Sequence, residues 1–375
     1  MNKAVIIGGG FGGLTAAKKL CKFKRNLEVT LIDKSKESHF LPALPDIIGK
    51  RISAQFLKCN IGDLAKRWGF TFINEEVFSI DLEKREILTP NKTLPYDYLI
   101  IASGSQTNFY DNERVEKQAY RLDNAFDAIK IIQALEEGDF DNYVVCGGGY
   151  TGVEIATNLW RNLNKKVTGK RIIISEIAPS ILGSLPEWMK DYVRDNLGKL
   201  NIEIFPNTSV DKIEDGKIFF SGGQIVNNAM LVWAAGVKVP SLLSNLAVGK
   251  GRQGRFVVDE YLRLNSNCFV IGDCAQFQHR GSFLRMAVQF SIAQGCCAAS
   301  NIIRDIKGVK LKKYKPIDLG YIIPMANNKS CGKILGVNMR GFLPTIFHYL
   351  MCAYRSWRLK DKIGIIGNLI RGGVR

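Results

Sequence analysis

Two apolar runs rich in β-branched residues each end in a cluster of glycines, and this repetition limits the fold more than any other feature of the chain. The clusters are Gly8-Gly-Gly-Phe-Gly-Gly13 and Gly147-Gly-Gly-Tyr-Thr-Gly152. A helical pattern follows each one, and a carboxylate, Asp33 or Glu176, closes the next apolar run. In such βαβ units the glycines let the backbone approach a pyrophosphate at the helix start, and the carboxylate binds ribose hydroxyls. The sequence therefore predicts two dinucleotide sites on one chain.

The order of the predicted elements indicates an α/β fold with two Rossmann-like dinucleotide-binding domains, the second inserted into the first. The first domain is predicted at 1–115 and 255–325, and the second at 116–254. A C-terminal region follows at 326–375. Both sites are expected at the carboxyl ends of parallel strands. Strands are predicted at 3–7, 28–33, 98–102 and 230–235 and near 268–272, and helices at 12–23, 125–136 and 286–304.

Charge and cysteine content narrow the function classes. The 375 residues carry a formal net charge of +17 and nine cysteines with no secreted-type framework, which favours a reducing cytoplasm. The charge suits an anionic membrane, an acidic protein partner or phosphate-rich cofactors, and a plain lysine-rich surface is the simpler alternative. No nucleic-acid-binding motif is visible, so nucleic acid is not an expected partner.

The C-terminal tail combines an apolar run with basic residues. The run from Phe342 to Tyr354 is too short to span a bilayer, which takes about 20 residues. Residues 341–375 contain six Lys or Arg and one Asp. This pattern predicts a small amphipathic membrane-association segment in the headgroup region of the cytoplasmic face, and a dimer or core helix is the alternative.

Taken in order, these motifs resemble the two-dinucleotide-binding flavoprotein superfamily, and within it the type II NADH dehydrogenases, the single-subunit NADH:quinone oxidoreductases. Such a protein binds FAD at the first site and NADH at the second, and it reduces a quinone without pumping protons. The residues that carry the resemblance are the segments 8–13, 147–154, 232–238, 271–275 and 287–295 and the basic, aromatic tail.

The resemblance also implies which residues hold the cofactors. Asp33 is expected on the FAD ribose, and Asp273, delivered at a strand end, on the ribityl or phosphate region. An N-cap role is the alternative for Asp273. No Arg follows Glu176 to receive a 2′-phosphate, which favours NADH over NADPH. The predicted cofactor-binding residues are Gly8, Gly10, Phe11, Gly12, Gly13, Asp33, Lys34, Ser103, Gly104, Gly147, Gly149, Gly152, Glu176, Gly236, Gly272 and Asp273.

Three residues are predicted to take part in catalysis. Glu154, expected in the first turn of the second glycine helix, is assigned a role near the nicotinamide and flavin, with a helix-dipole role as the alternative. Gln289 and Gln294 could hydrogen-bond quinone carbonyls, or simply be polar helix positions. Ala293 stands where the family usually has a glutamine.

Other polar residues leave alternatives open. Lys329 or Lys333 could place a positive charge near the flavin or the quinone. A sulfide:quinone oxidoreductase would need reactive cysteines such as Cys146 and Cys331 as a pair. A soluble NADH-dependent flavin reductase or a redox-sensing flavoprotein is a further alternative, and a homodimer stays open. No metal site is predicted, because the histidines lack ligand spacing.

Overall fold

The computed structural model describes residues 1–23, 26–163, 169–240, 246 and 248–372, with side chains as far as Asn368. The chain divides into two compact units. The first unit consists of Met1–Ser38, Cys59–Gln106 and Val237–Asp318, and the second of His39–Lys58, Thr107–Gly236 and Leu319–Arg375. Each unit is therefore assembled from three separate segments of the chain.

The helices alternate with short strands along the chain, as the predicted α/β class requires. Helix α8, the longest of those described, belongs to the first unit, and the two C-terminal helices belong to the second. In chain order the α-helices are α1 (Phe11–Leu20), α2 (Leu44–Lys50), α3 (Ile61–Trp68), α4 (Glu113–Gln118), α5 (Ala125–Glu137), α6 (Tyr150–Leu163), α7 (Glu187–Lys199), α8 (Val288–Ile306), α9 (Phe342–Arg355) and α10 (Leu359–Gly372).

A parallel sheet forms the centre of the first unit. Its strands are rich in Val, Ile and Leu and are largely buried, as expected for a sheet covered on both faces. Asn2 pairs with Leu27 and Ile7 with Ile32, so the first strand and its neighbour are in register along their full length. The strand order across the sheet is Cys268–Val270, Tyr98–Ile101, Asn2–Ile7, Leu27–Ile32 and Thr71–Ile73.

The second unit also has a central parallel sheet, together with antiparallel strands that lead into α9. Helix α6 contributes Val153, Ile155 and Leu159 to the core beneath the parallel sheet. The parallel order is Ile202–Phe205, Arg171–Ser175, Asn142–Cys146 and Ala229–Trp233, and the antiparallel strands Gly320–Ile323, Ser330–Ile334 and Val337–Gly341 precede α9.

The structure agrees with the predicted α/β class and corrects two local assignments. Helix α6 begins at Tyr150, so Glu154 lies one turn further along the helix than predicted, and no acidic residue occupies the first turn. The tail forms two helices, α9 and α10, where one apolar segment was expected. In the described residues, no helix has the length and apolar character needed to cross a membrane. The predicted limits of the nucleotide-binding domains stay a prediction.

Candidate dinucleotide and catalytic sites

The first glycine cluster forms a tight turn that is closed by Asp33. Gly8 follows the first strand with φ of 106°, and a Cβ there would overlap the carbonyl oxygen of Ala102. Asp33 accepts hydrogen bonds from the backbone N–H of Gly9 at 2.6 Å and of Ser35 at 2.7 Å. Burial raises the pKa of Asp33, and these two N–H groups oppose that shift. The carboxylate is thus fixed at the carboxyl end of the sheet.

The second cluster reproduces this geometry residue for residue. Gly147 has φ of 108°, and its N–H donates to the carbonyl oxygen of Ser175 at 2.7 Å. Glu176 accepts from the N–H of Gly148 at 2.6 Å with one oxygen and from the N–H of Ala178 at 2.8 Å with the other. Each unit therefore carries the same turn, with one carboxylate tying the glycines to the end of the next strand.

Both turns fit a dinucleotide pyrophosphate. Gly10 and Gly149 face open space, because nothing lies within 4 Å of the point where a Cβ would stand. The first turns of α1 and α6 contain no acidic residue, so the positive helix ends are not offset by a nearby carboxylate. Backbone N–H groups at such a helix start form an anion-binding site. The residues present in both units are therefore suited to the predicted FAD and NADH.

Asp273 lies on a short turn after the strand Cys268–Val270 of the first unit. It accepts a hydrogen bond from the Ser105 hydroxyl at 2.9 Å. Burial raises its pKa, while that hydrogen bond and the charge of Arg255 lower it. Ser103 and Gly104 follow the neighbouring strand Tyr98–Ile101, so the structure places all of these residues at the same end of the sheet.

Two other predicted cofactor-binding residues are Lys34 and Gly236. Lys34 is exposed, with Nζ 3.5 Å from Glu76. Gly236 ends the strand region Ala229–Trp233 of the second unit, and Tyr110 occupies the place of its absent side chain.

The structure does not bring the two predicted quinone glutamines together. Gln289, half-buried at the start of α8, donates to Asp318 at 3.0 Å. Gln294 is buried, with 2% of its surface exposed, and its side-chain oxygen accepts from the N–H of Gly272 at 2.6 Å. Since five residues separate them, the helix turns them to different sides. Gln294 supports the turn that carries Asp273.

Glu154 lies beside a buried polar group that sequence reasoning missed. Burial and the neighbouring Asp46 raise the pKa of Glu154 well above its ordinary value, and Lys50 lowers it. Asp46 in turn accepts from the Tyr349 hydroxyl at 2.6 Å. The one sequence signal was the spacing of Asp46 and Lys50, four residues apart in an otherwise apolar segment.

The remaining candidates have surroundings that limit their chemistry. Lys329 and Lys333 are both exposed. Cys146 and Cys331 are buried in separate apolar clusters, and burial raises the pKa of each thiol to about 12. Thiolate chemistry is disfavoured at such positions. Among the described residues, no group of three His, Cys, Asp or Glu side chains could hold a metal ion.

Comparison with known proteins identifies the class. Residues 2–295 match the pyridine nucleotide-disulphide oxidoreductase family, and the chain belongs to that family. The type II NADH:quinone oxidoreductase of Staphylococcus aureus is 25% identical over 90% of this chain and 91% of its own length. The demethylphylloquinone reductase NdbB of Synechocystis is 25% identical over 96% of this chain and 94% of its own.

A solved structure shares the whole fold. NDH2 of Plasmodium falciparum, in complex with NADH, has a TM-score of 0.87 at 18% identity and covers 100% of this chain and 98% of its own. At that identity the likeness shows the fold alone. The family match and the sequence relatives confirm the predicted resemblance to type II NADH dehydrogenases and the prediction of a flavin- and nicotinamide-dependent oxidoreductase.

Proposed function

We propose that this protein is an FAD-dependent NADH:quinone oxidoreductase. The observation that supports this most directly is the pair of equivalent carboxylate-closed glycine turns at Asp33 and Glu176. Its sequence relatives include proteins named for NADH:quinone and demethylphylloquinone reduction. When bound, the flavin supplies the redox chemistry, accepting a hydride from NADH and giving two electrons to the quinone.

The first unit is assigned to FAD. Asp33 would bind the adenosine ribose, and the N–H groups at the start of α1 would bind the pyrophosphate. Asp273, held by Ser105, would contact the ribityl or phosphate region. Gln294 would keep the Gly272 turn in place for it. The other cofactor-binding residues predicted for the FAD site are assigned to FAD as well, and the limits proposed for the FAD-binding domain are 1–115 and 255–325.

The second unit is assigned to NADH. Glu176 would bind both hydroxyls of the adenosine ribose, and its negative charge would repel the 2′-phosphate of NADPH. Ile177, Ala178 and Pro179 follow it and offer no cation to that phosphate. The preference for NADH over NADPH should therefore depend on this one carboxylate.

Two side chains are assigned to the quinone half of the reaction. A hydride brings two electrons and one proton, whereas reduction of a quinone to a quinol takes two electrons and two protons. One proton per turnover must therefore come from water. Glu154, whose pKa is raised well above the ordinary carboxyl value by burial and by Asp46, would hold and exchange it. Gln289 would donate to a quinone carbonyl.

Rapid mixing tests this function in two steps. FAD-loaded protein is mixed anaerobically with NADH and then with a short-chain quinone while the flavin absorbance is followed. We expect bleaching by NADH and recovery on addition of the quinone. A flavin that NADH leaves oxidised would refute the proposal. Gln289→Leu should slow the second phase only, and Gln118→Leu, on α4 of the second unit, serves as the matched control.

The C-terminal helices are proposed to bind the cytoplasmic face of an anionic membrane. Exposed apolar side chains on them, here called the C-terminal apolar patch, would enter the headgroup region beside exposed Lys360. The patch consists of Phe342, Leu343, Leu350, Tyr354, Leu359 and Ile363, which are 47% to 76% exposed.

Sedimentation with vesicles tests membrane binding. Leu359→Glu/Ile363→Glu should leave the protein in the supernatant with vesicles that contain anionic lipid, while wild type pellets. Ile177→Glu, equally exposed but outside the patch, is the control. Equal pelleting of all three proteins would contradict the assignment. A loss of dimer in the double variant would instead indicate that the patch is a subunit interface.

A further inference from the structure

A lysine ammonium group is enclosed in the second unit without a hydrogen-bond acceptor. The Lys50 side chain is 4% exposed, and no acceptor in the described part of the chain bonds its Nζ. Its nearest charged partner is Asp46 Oδ1 at 3.9 Å, and the Tyr349 ring centroid lies 4.8 Å away. A buried ammonium group is unfavourable unless it is compensated.

Three helices of the second unit enclose this group. Helix α2 provides Asp46 and Lys50, and α9 provides Tyr349, whose hydroxyl binds Asp46. Helix α2 packs directly on α6, because a Cβ at Gly49 would overlap the backbone of Asn158. The Asn158 amide donates to Asp46 at 3.4 Å and to the backbone carbonyl of Glu154 at 2.9 Å. Asp46 and Lys50 therefore face the part of α6 that carries Glu154.

Other ionisable groups around Glu154 are weaker candidates for controlling its charge. The Arg161 guanidinium is fixed to the carbonyl oxygen of Ala326 at 2.6 Å. Burial lowers the pKa of His348 to about 4, so it is neutral at physiological pH. The ionisable groups on the three helices are Asp46, Lys50, Tyr150, Glu154, Arg161, His348, Tyr349, Cys352, Tyr354 and Arg355.

We propose that Lys50 is a positioning residue for Glu154: the enclosed ammonium, opposed by Asp46, sets how readily the Glu154 carboxyl group exchanges the proton that quinone reduction consumes. This inference rests on the proposed function. The proton passes from the Glu154 carboxyl group to a quinone oxygen, and water replaces it, so that NADH, quinone and one proton give NAD⁺ and quinol. Lys50 itself touches neither substrate.

Two substitutions should act in opposite directions. Lys50→Met removes the positive charge that favours ionised Glu154, so the pKa that limits quinone reduction at high pH should rise by about one unit or more. Asp46→Asn removes the opposing negative charge and should lower it. Lys117→Met should leave it unchanged, because Lys117 pairs with Glu113 at the same four-residue spacing on an exposed surface.

The rate of quinone reduction is measured against pH at saturating NADH, and the carboxylic-acid C=O band is followed by infrared difference titration of the holoprotein. Loss of the band in Glu154→Gln assigns it to Glu154. The pH at which the band titrates and the pKa that limits quinone reduction at high pH should shift together, upward in Lys50→Met and downward in Asp46→Asn. Lys50→Arg should restore the wild-type profile.

The outcomes separate this inference from the function on which it rests. If both variants reduce quinone and the pKa that limits the rate at high pH is unchanged, the role of Lys50 is overturned and the proposed function stands. The same conclusion follows if the shift in this pKa persists in the Glu154→Gln background. If Lys50→Met does not fold, Asp46→Asn still tests the inference, because it is expected to shift the same pKa in the opposite direction. Failure of NADH to reduce the flavin in wild type would instead overturn the proposed function.

Discussion

Replacing Glu176 by Gln should weaken NADH binding selectively. Both oxygens of the carboxylate accept backbone N–H groups, from Gly148 at 2.6 Å and from Ala178 at 2.8 Å. A glutamine amide can satisfy only one of them and has no charge to offer a ribose hydroxyl. A hydrogen bond to a charged group contributes about 1.5–3 kcal/mol. Loss of one corresponds to about 10- to 150-fold weaker binding.

Titration of the FAD-loaded protein with NADH measures the change, and NADPH measured in parallel should lose much less affinity. Asp33→Asn is the equivalent substitution in the first unit, and it should weaken FAD binding while leaving the affinity for NADH unchanged. Glu137→Gln, at the exposed end of α5, controls for charge. The reasoning fails if both substitutions weaken the same cofactor, or if Glu176→Gln binds NADH as wild type does.

Three further variants test the interior of the second unit. Tyr349→Phe removes a buried hydrogen bond to Asp46 and should lower the free energy of unfolding by about 1.5–3 kcal/mol in urea, whereas Tyr354→Phe, 76% exposed on the same helix, should not. Because burial lowers the pKa of His348 from 6.5 to about 4, wild type should lose stability as the pH falls through that window, and His348→Asn should lose less; melting temperatures against pH decide. Cys146→Ala/Cys331→Ala should retain NADH:quinone activity, and its abolition would favour a sulfide-oxidising mechanism.

Local pattern was enough to predict the duplicated turns. Asp33 and Glu176 were predictable because β-branched runs, glycines and a closing carboxylate lie within one βαβ unit, where sequence distance and spatial distance are closely related. The strand Cys268–Val270 was also predictable, since its apolar run leads directly into Gly272 and Asp273. In these cases, the geometry follows from the chemistry of neighbouring residues.

Side-chain partners that lie far apart in the chain were not predictable in this way. Asp46 and Tyr349 are separated by 303 positions, and no periodicity links α2 to α9. Helix α2 has seven residues, too few for a period of 3.6 to be clear. Gln294 carries the same amide as Gln289, and only its burial against Gly272 reveals a different task.

The order in which the three segments of each unit leave the ribosome has a consequence for synthesis. The strand Tyr98–Ile101 gains its outer neighbour, Cys268–Val270, only after residues 102–267 have been translated. At about 5–20 residues per second, this edge stays unpaired for roughly 10 to 30 s. An uncovered apolar edge invites pairing with another nascent chain. High-level expression should therefore make strong demands on chaperones until the final third of the polypeptide emerges.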